Sequence, residues 1–341
     1  MKDWRPSDHW TTITTLDLHT GGEPFRIVTG GYPEIPGKTL LDKRHHAAEH
    51  LDHLRTALMW EPRGHADMYG CLITPPVSPE ADLGVLFMHN EGYSTMCGHG
   101  IIALTTAVLQ TGAVPCTEPE TVLRIDSPAG LITARARVEG PRVASVAFEN
   151  VPSFVLARDE TVHVPGIGPL TYSIAFGGAF YALVDAGELG VSLAASSAQR
   201  LIDLGRAIKE AVTASRPVPH PYEPELSFLY GTIFTGPAAD PDVQSRNVCV
   251  FADGEVDRSP TGTGVSARLA DHYARGDIGL GQPMVVESII GSRFSGRVLR
   301  ETSFGPYSAV VPEVQGSASI TGRHEFVIDP DDPLRQGFLL R

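Results

Sequence analysis

Two glycine-rich segments hold the residues best suited to chemistry. In the first, Cys97 directly precedes Gly98-His99-Gly100, where an apolar helix is predicted to begin. The free backbone N–H groups of a helix N-terminus have partial positive charge, which lowers the pKa of a nearby thiol and favours a bound carboxylate. The segment therefore predicts a reactive cysteine beside an anion site. The alternative interpretation is a packed and inert thiol.

The second segment, Asp257–Gly264, has the same form but a different side chain. Pro260-Thr261-Gly262-Thr263-Gly264 opens another predicted helix, and Thr261 has the place that Cys97 has in the first segment. A threonine hydroxyl is too weak an acid to exchange protons readily near neutral pH, whereas a thiol ionises close to that range. Asp257 is either an acceptor for a substrate nitrogen or an ordinary turn residue. Neither segment matches a nucleotide-binding loop, so we predict no cofactor.

The two segments belong to an internal repeat. Three features recur in the same order at nearly the same spacing, which indicates two halves with one fold. The pairs are Gly21 with Gly177 at an offset of 156 positions, Cys97 with Thr261 at 164, and Asp126 with Glu287 at 161.

Two related halves of this kind are expected to face each other across a cleft that holds the ligand. We predict that the first half spans residues 1–165 and contains Cys97, with the C-terminal segment able to pack back onto it. The second half spans residues 166–341 and contains Asp257 and Thr261, and the junction lies in the Pro/Gly-rich stretch Val164–Pro169.

Short strands outnumber helices in the predicted secondary structure, which indicates an α+β protein. The predicted strands are Thr11–Leu18, Phe25–Thr29, Gly84–His89, Thr121–Ile125, Leu131–Val138, Ala144–Phe148, Tyr172–Phe176, Tyr181–Val184, Val248–Phe251, Met284–Ser288 and Gly296–Leu299. The predicted helices are Lys38–Thr56, Gly98–Gln110, Leu193–Ala214 and Gly262–Arg275.

Composition excludes several classes of function. The 341 residues have a formal net charge of -13, which disfavours binding to nucleic acid and to anionic membranes. No apolar run is long enough to span a bilayer, and the N-terminus lacks the apolar region of a secretory signal. The four cysteines form no CxxC motif, and His46 and His50 lack further ligands, so we predict no disulfide framework and no metal site. A cytoplasmic enzyme is expected.

Five segments together resemble the proline racemase family, and the resemblance covers nearly the whole chain. They are Asp17–Pro24, Met96–Gly100, Phe176–Ala182, Asp257–Gly264 and Glu287–Phe294. The resemblance implies the diaminopimelate-epimerase-like fold, in which two pseudo-symmetric α/β halves each curl a sheet around a central helix and the active site lies between them. Family racemases and epimerases use two cysteines and no cofactor, and a homodimer is possible.

The sequence departs from the two-cysteine pattern at Thr261. The family resemblance assigns a specific activity to the combination of Cys97 with Thr261. It implies dehydration of trans-3-hydroxy-L-proline to Δ1-pyrroline-2-carboxylate, with Cys97 as the single base that removes the Cα proton. The Thr261 hydroxyl would then orient water or substrate. The same resemblance implies that four residues bind the substrate carboxylate and that Asp257 binds the ring nitrogen; the four are Gly98, His99, Gly262 and Thr263.

Three other functions stay open at this point. The first is a proline racemase or 4-hydroxyproline 2-epimerase in which water or another group replaces the second thiol. The second is a non-catalytic protein that binds imino acids. The third is an isomerase of the same fold that handles carboxylates without thiol chemistry. In each case the expected partner is a small molecule.

Overall fold

The structure is a computed structural model that describes residues 4–241 and 243–340. Its strands are β1 (Thr11–Thr20), β2 (Glu23–Gly30), β3 (Tyr69–Thr74), β4 (Leu83–His89), β5 (Tyr93–Ser94), β6 (Glu120–Ser127), β7 (Gly130–Glu139), β8 (Arg142–Glu149), β9 (Ser153–Val164), β10 (Gly168–Phe176), β11 (Phe180–Asp185), β12 (Leu229–Gly236), β13 (Ser245–Phe251), β14 (Glu255–Val256), β15 (Met284–Glu287), β16 (Arg293–Phe304), β17 (Tyr307–Gly316) and β18 (Ala318–Ile328). Its α-helices are α1 (Leu40–His50), α2 (Asp52–Met59), α3 (Gly98–Gln110), α4 (Ala198–Ser215) and α5 (Gly262–Arg275). Within these described ranges, no helix is both long and apolar enough to cross a bilayer.

The same series of strand pairings occurs twice along the chain. β2 pairs in parallel with β3 across α1 and α2, and β11 pairs in parallel with β12 across α4. The antiparallel strands β4 and β13 follow, and each leads through a two-residue strand into a helix, α3 or α5. β6 and β15 then return in parallel beside β4 and β13. This repeated connectivity confirms the predicted α+β fold of two similar halves.

Each half is built around a buried helix. Every residue of α3 from Gly98 to Leu109 is buried, and strands β1, β2, β7, β8, β17 and β18 pack around it. The first ten residues of α5 are also buried, against β9, β10, β11, β16 and β17. A helix that is buried on all sides needs a sheet that curls around it. Full burial of a side chain such as Leu104 contributes about 2 kcal/mol.

The two halves share strands instead of meeting at a simple linker. β18 pairs with β1 along its whole length, and β17 pairs with β8 at one end and with β9 at the other. The stretch Val164–Pro169, where the sequence predicts a junction, forms the turn between β9 and β10. Because both of these strands pack beside α5, we propose that the division lies before β9, near residue 150, and not at residue 165.

The predicted helices agree with the structure to different degrees, and the one predicted over Leu193–Ala214 begins at Ala198. The predictions Gly98–Gln110 and Gly262–Arg275 are confirmed at both ends. The predicted helix Lys38–Thr56 is instead two helices, which Leu51 separates, and the first begins at a capping box formed by Thr39 and Asp42. Five strands longer than two residues were not predicted, namely β3, β9, β12, β17 and β18.

The N-termini of the two central helices contact each other through glycine. A Cβ atom added to Gly98 would lie 2.7 Å from the Cα atom of Gly262, and one added to Gly262 would lie 2.8 Å from the Cα atom of Gly98. The ring of Phe148 is also within 3.2 Å of both added atoms. Any side chain at either position would therefore push the two helix starts apart.

We expect Gly98→Ala to lower the thermal unfolding midpoint by several degrees. Alanine improves helix propensity by about 1 kcal/mol, but a contact with rigid backbone of the other half typically costs about 1–3 kcal/mol and separates the helix starts. Gly92→Ala is the control, because an added Cβ there meets nothing within 4 Å. Equal midpoints for the two variants would contradict the importance of this contact.

Candidate active site

A cavity lies where the two helix N-termini meet. Its place between the two halves is a common one for a small-ligand site. The structure brings all seven predicted site residues to its wall: Cys97, Gly98, His99, Asp257, Thr261, Gly262 and Thr263. Five further lining residues were not predicted: Tyr69, Met96, Tyr181, Tyr230 and Phe251.

Cys97 is the N-cap residue of α3 and is almost fully buried. Its Sγ atom accepts a hydrogen bond from the backbone N–H of Gly100 at 3.2 Å and lies 3.3 Å from Nδ1 of His99. Burial raises the pKa of the Cys97 thiol well above its ordinary range, and the Gly100 bond opposes this only in part. The nearby carboxyl groups of Asp257 and Glu23 raise this pKa further. The expectation of a lowered pKa was therefore wrong for the ligand-free protein, because desolvation outweighs the helix terminus.

His99 is a neutral partner for this thiol. Burial lowers the pKa of His99 to about 3, so the ring is uncharged at neutral pH. Its edges pack against the rings of Tyr69 and Phe25, and its backbone carbonyl accepts a hydrogen bond from the Thr20 hydroxyl at 2.9 Å. A neutral imidazole can contact Sγ without adding a second charge to the cavity.

Thr261 has an unusual backbone and a buried hydroxyl. Its φ of 66° is rare for a β-branched residue and costs about 1–3 kcal/mol. Hydrogen bonds on both sides hold this peptide: Asn247 donates to the carbonyl of Pro260 at 3.1 Å, and Thr261 donates its N–H to Ser259 Oγ at 3.1 Å. Within the part of the chain that the structure describes, the Thr261 hydroxyl makes no hydrogen bond of ordinary geometry. A strained backbone at a β-branched residue in a cavity wall is typical of a functional position.

Asp257 supplies the carboxylate of the cavity. Its Oδ1 atom accepts the backbone N–H of Ser259 at 2.7 Å, and its side chain is almost fully buried. Burial raises the pKa of Asp257 to about 6, although its neighbours Ser259 and Thr261 lower it in part. The group is therefore ionised at neutral pH but poorly solvated, which favours a cationic ligand.

Phenol rings form much of the remaining wall. Tyr69 hydrogen-bonds through its hydroxyl to Ser94 and lies 3.4 Å from the Tyr230 hydroxyl, and Tyr181 hydrogen-bonds to Thr263 at 2.7 Å. Tyr69 lies on β3 and Tyr230 lies on β12, and neither strand was predicted. Only Tyr181 had a sequence signal, because it falls within the family-like segment Phe176–Ala182.

Two buried carboxyl groups, Glu255 and Glu23, link the halves behind the cavity wall. His89 Nδ1 lies 3.1 Å from Glu255 Oε1, and Glu23 Oε2 accepts the backbone N–H of Arg258 at 2.6 Å. Both carboxyl groups have no solvent exposure. The sequence analysis gave neither residue a role, although Glu23 lies in the family-like segment Asp17–Pro24.

Histidines outside the cavity form no comparable site. In residues 4–241 and 243–340, no group of three or more His, Cys, Asp or Glu side chains is placed to hold a metal ion. His46 and His50 lie one turn apart on α1, and their ring centroids are 4.7 Å apart.

Known proteins resemble this chain in both sequence and fold. A family model described as "Proline racemase" matches residues 15–339. A Burkholderia multivorans protein named 3-hydroxyproline 2-epimerase is 51% identical over 330 residues, which are 97% of this chain and 98% of that protein. A Burkholderia cenocepacia protein named trans-3-hydroxy-L-proline dehydratase is 49% identical over 330 residues, with the same coverage. The crystal structure of a hydroxyproline epimerase from Agrobacterium vitis, with bound trans-4-hydroxy-L-proline, has a TM-score of 0.93 and 35% identity, and the match covers 98% of this chain and 96% of that one.

Proposed function

Because this chain belongs to the proline racemase family, we propose that it dehydrates trans-3-hydroxy-L-proline to Δ1-pyrroline-2-carboxylate, with Cys97 as the only base and without a cofactor. The proposal rests on one observation: the cavity has a thiol at the start of α3 and a threonine hydroxyl at the start of α5. One base is enough for a syn elimination but not for inversion at Cα. Relatives at about 50% identity with the dehydratase name support the same reaction.

The substrate carboxylate would bind at the two helix N-termini. The first N–H groups of a helix have no partner within the helix and attract anions. Among the described residues, Thr261 makes no capping hydrogen bond to α5, which leaves these groups to a ligand. We assign the carboxylate to the N–H groups of Gly98, His99, Gly262 and Thr263, where they also stabilise charge that develops after proton removal.

The ring nitrogen of the substrate would pair with Asp257, and this pairing would prepare Cys97 for catalysis. In the ligand-free cavity, burial and the nearby acidic groups raise the pKa of the Cys97 thiol. A bound ammonium group brings positive charge into the same cavity and favours the thiolate. The substrate therefore helps to generate the base that attacks it.

The elimination then needs one proton shuttle. In trans-3-hydroxyproline the Cα hydrogen and the hydroxyl lie on the same face of the ring. The Cys97 thiolate takes the Cα proton, the Cα–Cβ double bond forms as the C3–O bond breaks, and the new thiol protonates the departing hydroxide. Water leaves, the thiolate is regenerated, and the enamine tautomerises to Δ1-pyrroline-2-carboxylate. In this proposal the Thr261 hydroxyl orients the substrate or a water molecule and transfers no proton.

Epimerisation at Cα is the second candidate. The names of the B. multivorans relative and of the A. vitis structure favour it. It needs a proton donor on the other face of the ring, and a water molecule held by Thr261 is the group that could supply one. Because water is a weak acid, this route is expected to be slow in the present cavity.

The deciding experiment follows three substrates in D2O by NMR: trans-3-hydroxy-L-proline, L-proline and trans-4-hydroxy-L-proline. Loss of the first alone, with pyrroline carboxylate formed, supports the dehydratase. Deuterium at Cα with inversion and no loss of water supports the epimerase. Tight binding of pyrrole-2-carboxylate without any turnover would instead indicate a binding protein.

We expect Thr261→Cys to create Cα inversion of L-proline or trans-4-hydroxy-L-proline at a rate at least about tenfold above the parent, since proton donation by a placed group typically contributes 10²–10⁴-fold. The readout is Cα deuterium together with chiral chromatography. Thr261→Ser is the matched control, because it keeps a hydroxyl and adds no thiol. If the cysteine variant inverts neither substrate, the identity of residue 261 does not decide the reaction.

We expect kcat/KM of the dehydration to fall more steeply below pH 6 than above it, by about a further tenfold per pH unit. Asp257, with its pKa raised to about 6, loses its charge as the pH falls through that value and no longer attracts the ammonium group. In Asp257→Asn, kcat/KM should be lower at every pH, and its pH profile should show no change of slope near pH 6. A variant that retains the change of slope would show that another group titrates there.

A further inference from the structure

Glu23 is a fully buried carboxyl group that the proposed reaction does not use. It stands at the start of β2, in the N-terminal half, and reaches the segment that precedes α5. Its Oε2 atom accepts the backbone N–H of Arg258 at 2.6 Å, and Arg258 Nη1 lies 3.9 Å from the same oxygen. The bond joins residues 235 positions apart and crosses between the halves.

The N–H group that Glu23 holds belongs to the peptide bond between Asp257 and Arg258. Holding that peptide limits the direction in which the Asp257 side chain leaves the backbone. Asp257 then accepts the N–H of Ser259 at 2.7 Å, and Ser259 Oγ accepts the N–H of Thr261 at 3.1 Å. A continuous series of hydrogen bonds therefore runs from Glu23 to the start of α5.

The surroundings of Glu23 make an ionised carboxylate unfavourable. Asp257 and Asp67 are acidic neighbours, Arg258 is the nearby cation, and the guanidinium of Arg258 also pairs with Asp67 at 3.0 Å. Burial, together with Asp257, raises the pKa of Glu23 well above its ordinary range. Within the described residues, Glu23 Oε1 has no hydrogen-bond partner. An uncharged carboxyl still accepts the Arg258 N–H, and a glutamine side chain of the same shape could do so as well.

We propose that Glu23 is a positioning residue that holds the Asp257–Arg258 peptide from the opposite half and so fixes the direction in which Asp257 presents its carboxylate to the substrate nitrogen. The proposal rests on the proposed role of Asp257. It adds to that role a residue of the other half that acts only through Asp257.

A double-mutant cycle with pyrrole-2-carboxylate as the probe tests this, with Kd measured by calorimetry. Glu23→Met keeps the side-chain length and removes the acceptor, and we expect it to raise Kd roughly ten- to a hundredfold. Because Glu23 acts through Asp257, adding it to Asp257→Asn should raise Kd no further than Asp257→Asn alone. Glu23→Gln should keep Kd within about threefold of the parent, because the acceptor is retained. If the methionine variant does not fold, Glu23→Ala takes its place in the cycle.

Glu255→Met is the matched control. Glu255 is equally buried and also bonds across the halves, to His89 at 3.1 Å, but it does not hold the 257–258 peptide. Its effect on Kd should add to that of Asp257→Asn. Additive effects of Glu23→Met and Asp257→Asn, or a glutamine variant as weak as the methionine one, would overturn the proposal. A protein that binds the probe but dehydrates nothing would contradict the proposed function, and the cycle would still decide the role of Glu23.

Discussion

The contact between Gly98 and Gly262 is the constraint on which the rest of the site depends. Two buried helices can direct their N-termini at one small ligand only if their first turns meet, and they meet only where no side chain intervenes. This contact places the groups on both sides of the cavity, because Cys97 and Thr261 directly precede the two glycines. The curled sheets and the shared strand β17 then hold the two helices in that relation.

The charge balance of the cavity is unfavourable, and the proposed chemistry follows from that. Cys97, Asp257 and Glu23 are acidic groups with little or no access to water. Under the proposed function, the substrate brings one carboxylate to the helix starts and one ammonium group to Asp257. Binding would then supply the charge compensation that the folded protein lacks, and this would couple recognition of the substrate to ionisation of the thiol.

The sequence predicted those parts of the fold that depend on local signals. Glycine-rich starts and continuous apolar runs defined α3 and α5 to the residue, and the repeat predicted two similar halves. β18 was missed because its partner β1 lies at the other end of the chain and because β18 is rich in polar and partly exposed residues. β17 was missed although it forms a hairpin with the neighbouring strand β16. Tyr69 was missed because the short strand β3, on which it lies, was not predicted. The pKa of Cys97 was predicted in the wrong direction, because a sequence shows that a thiol stands at a helix start but not how deeply the fold buries it.

The shared strands also set an order of events during synthesis. The sheet around α3 needs β17 and β18, which end at Ile328, so the N-terminal half cannot close until β18 has left the ribosome. Until then, β18 neither pairs with the edge of β1 nor packs against the apolar surface of α3. Truncation near the C-terminus would for the same reason damage the opposite half of the molecule, the one that contains Cys97.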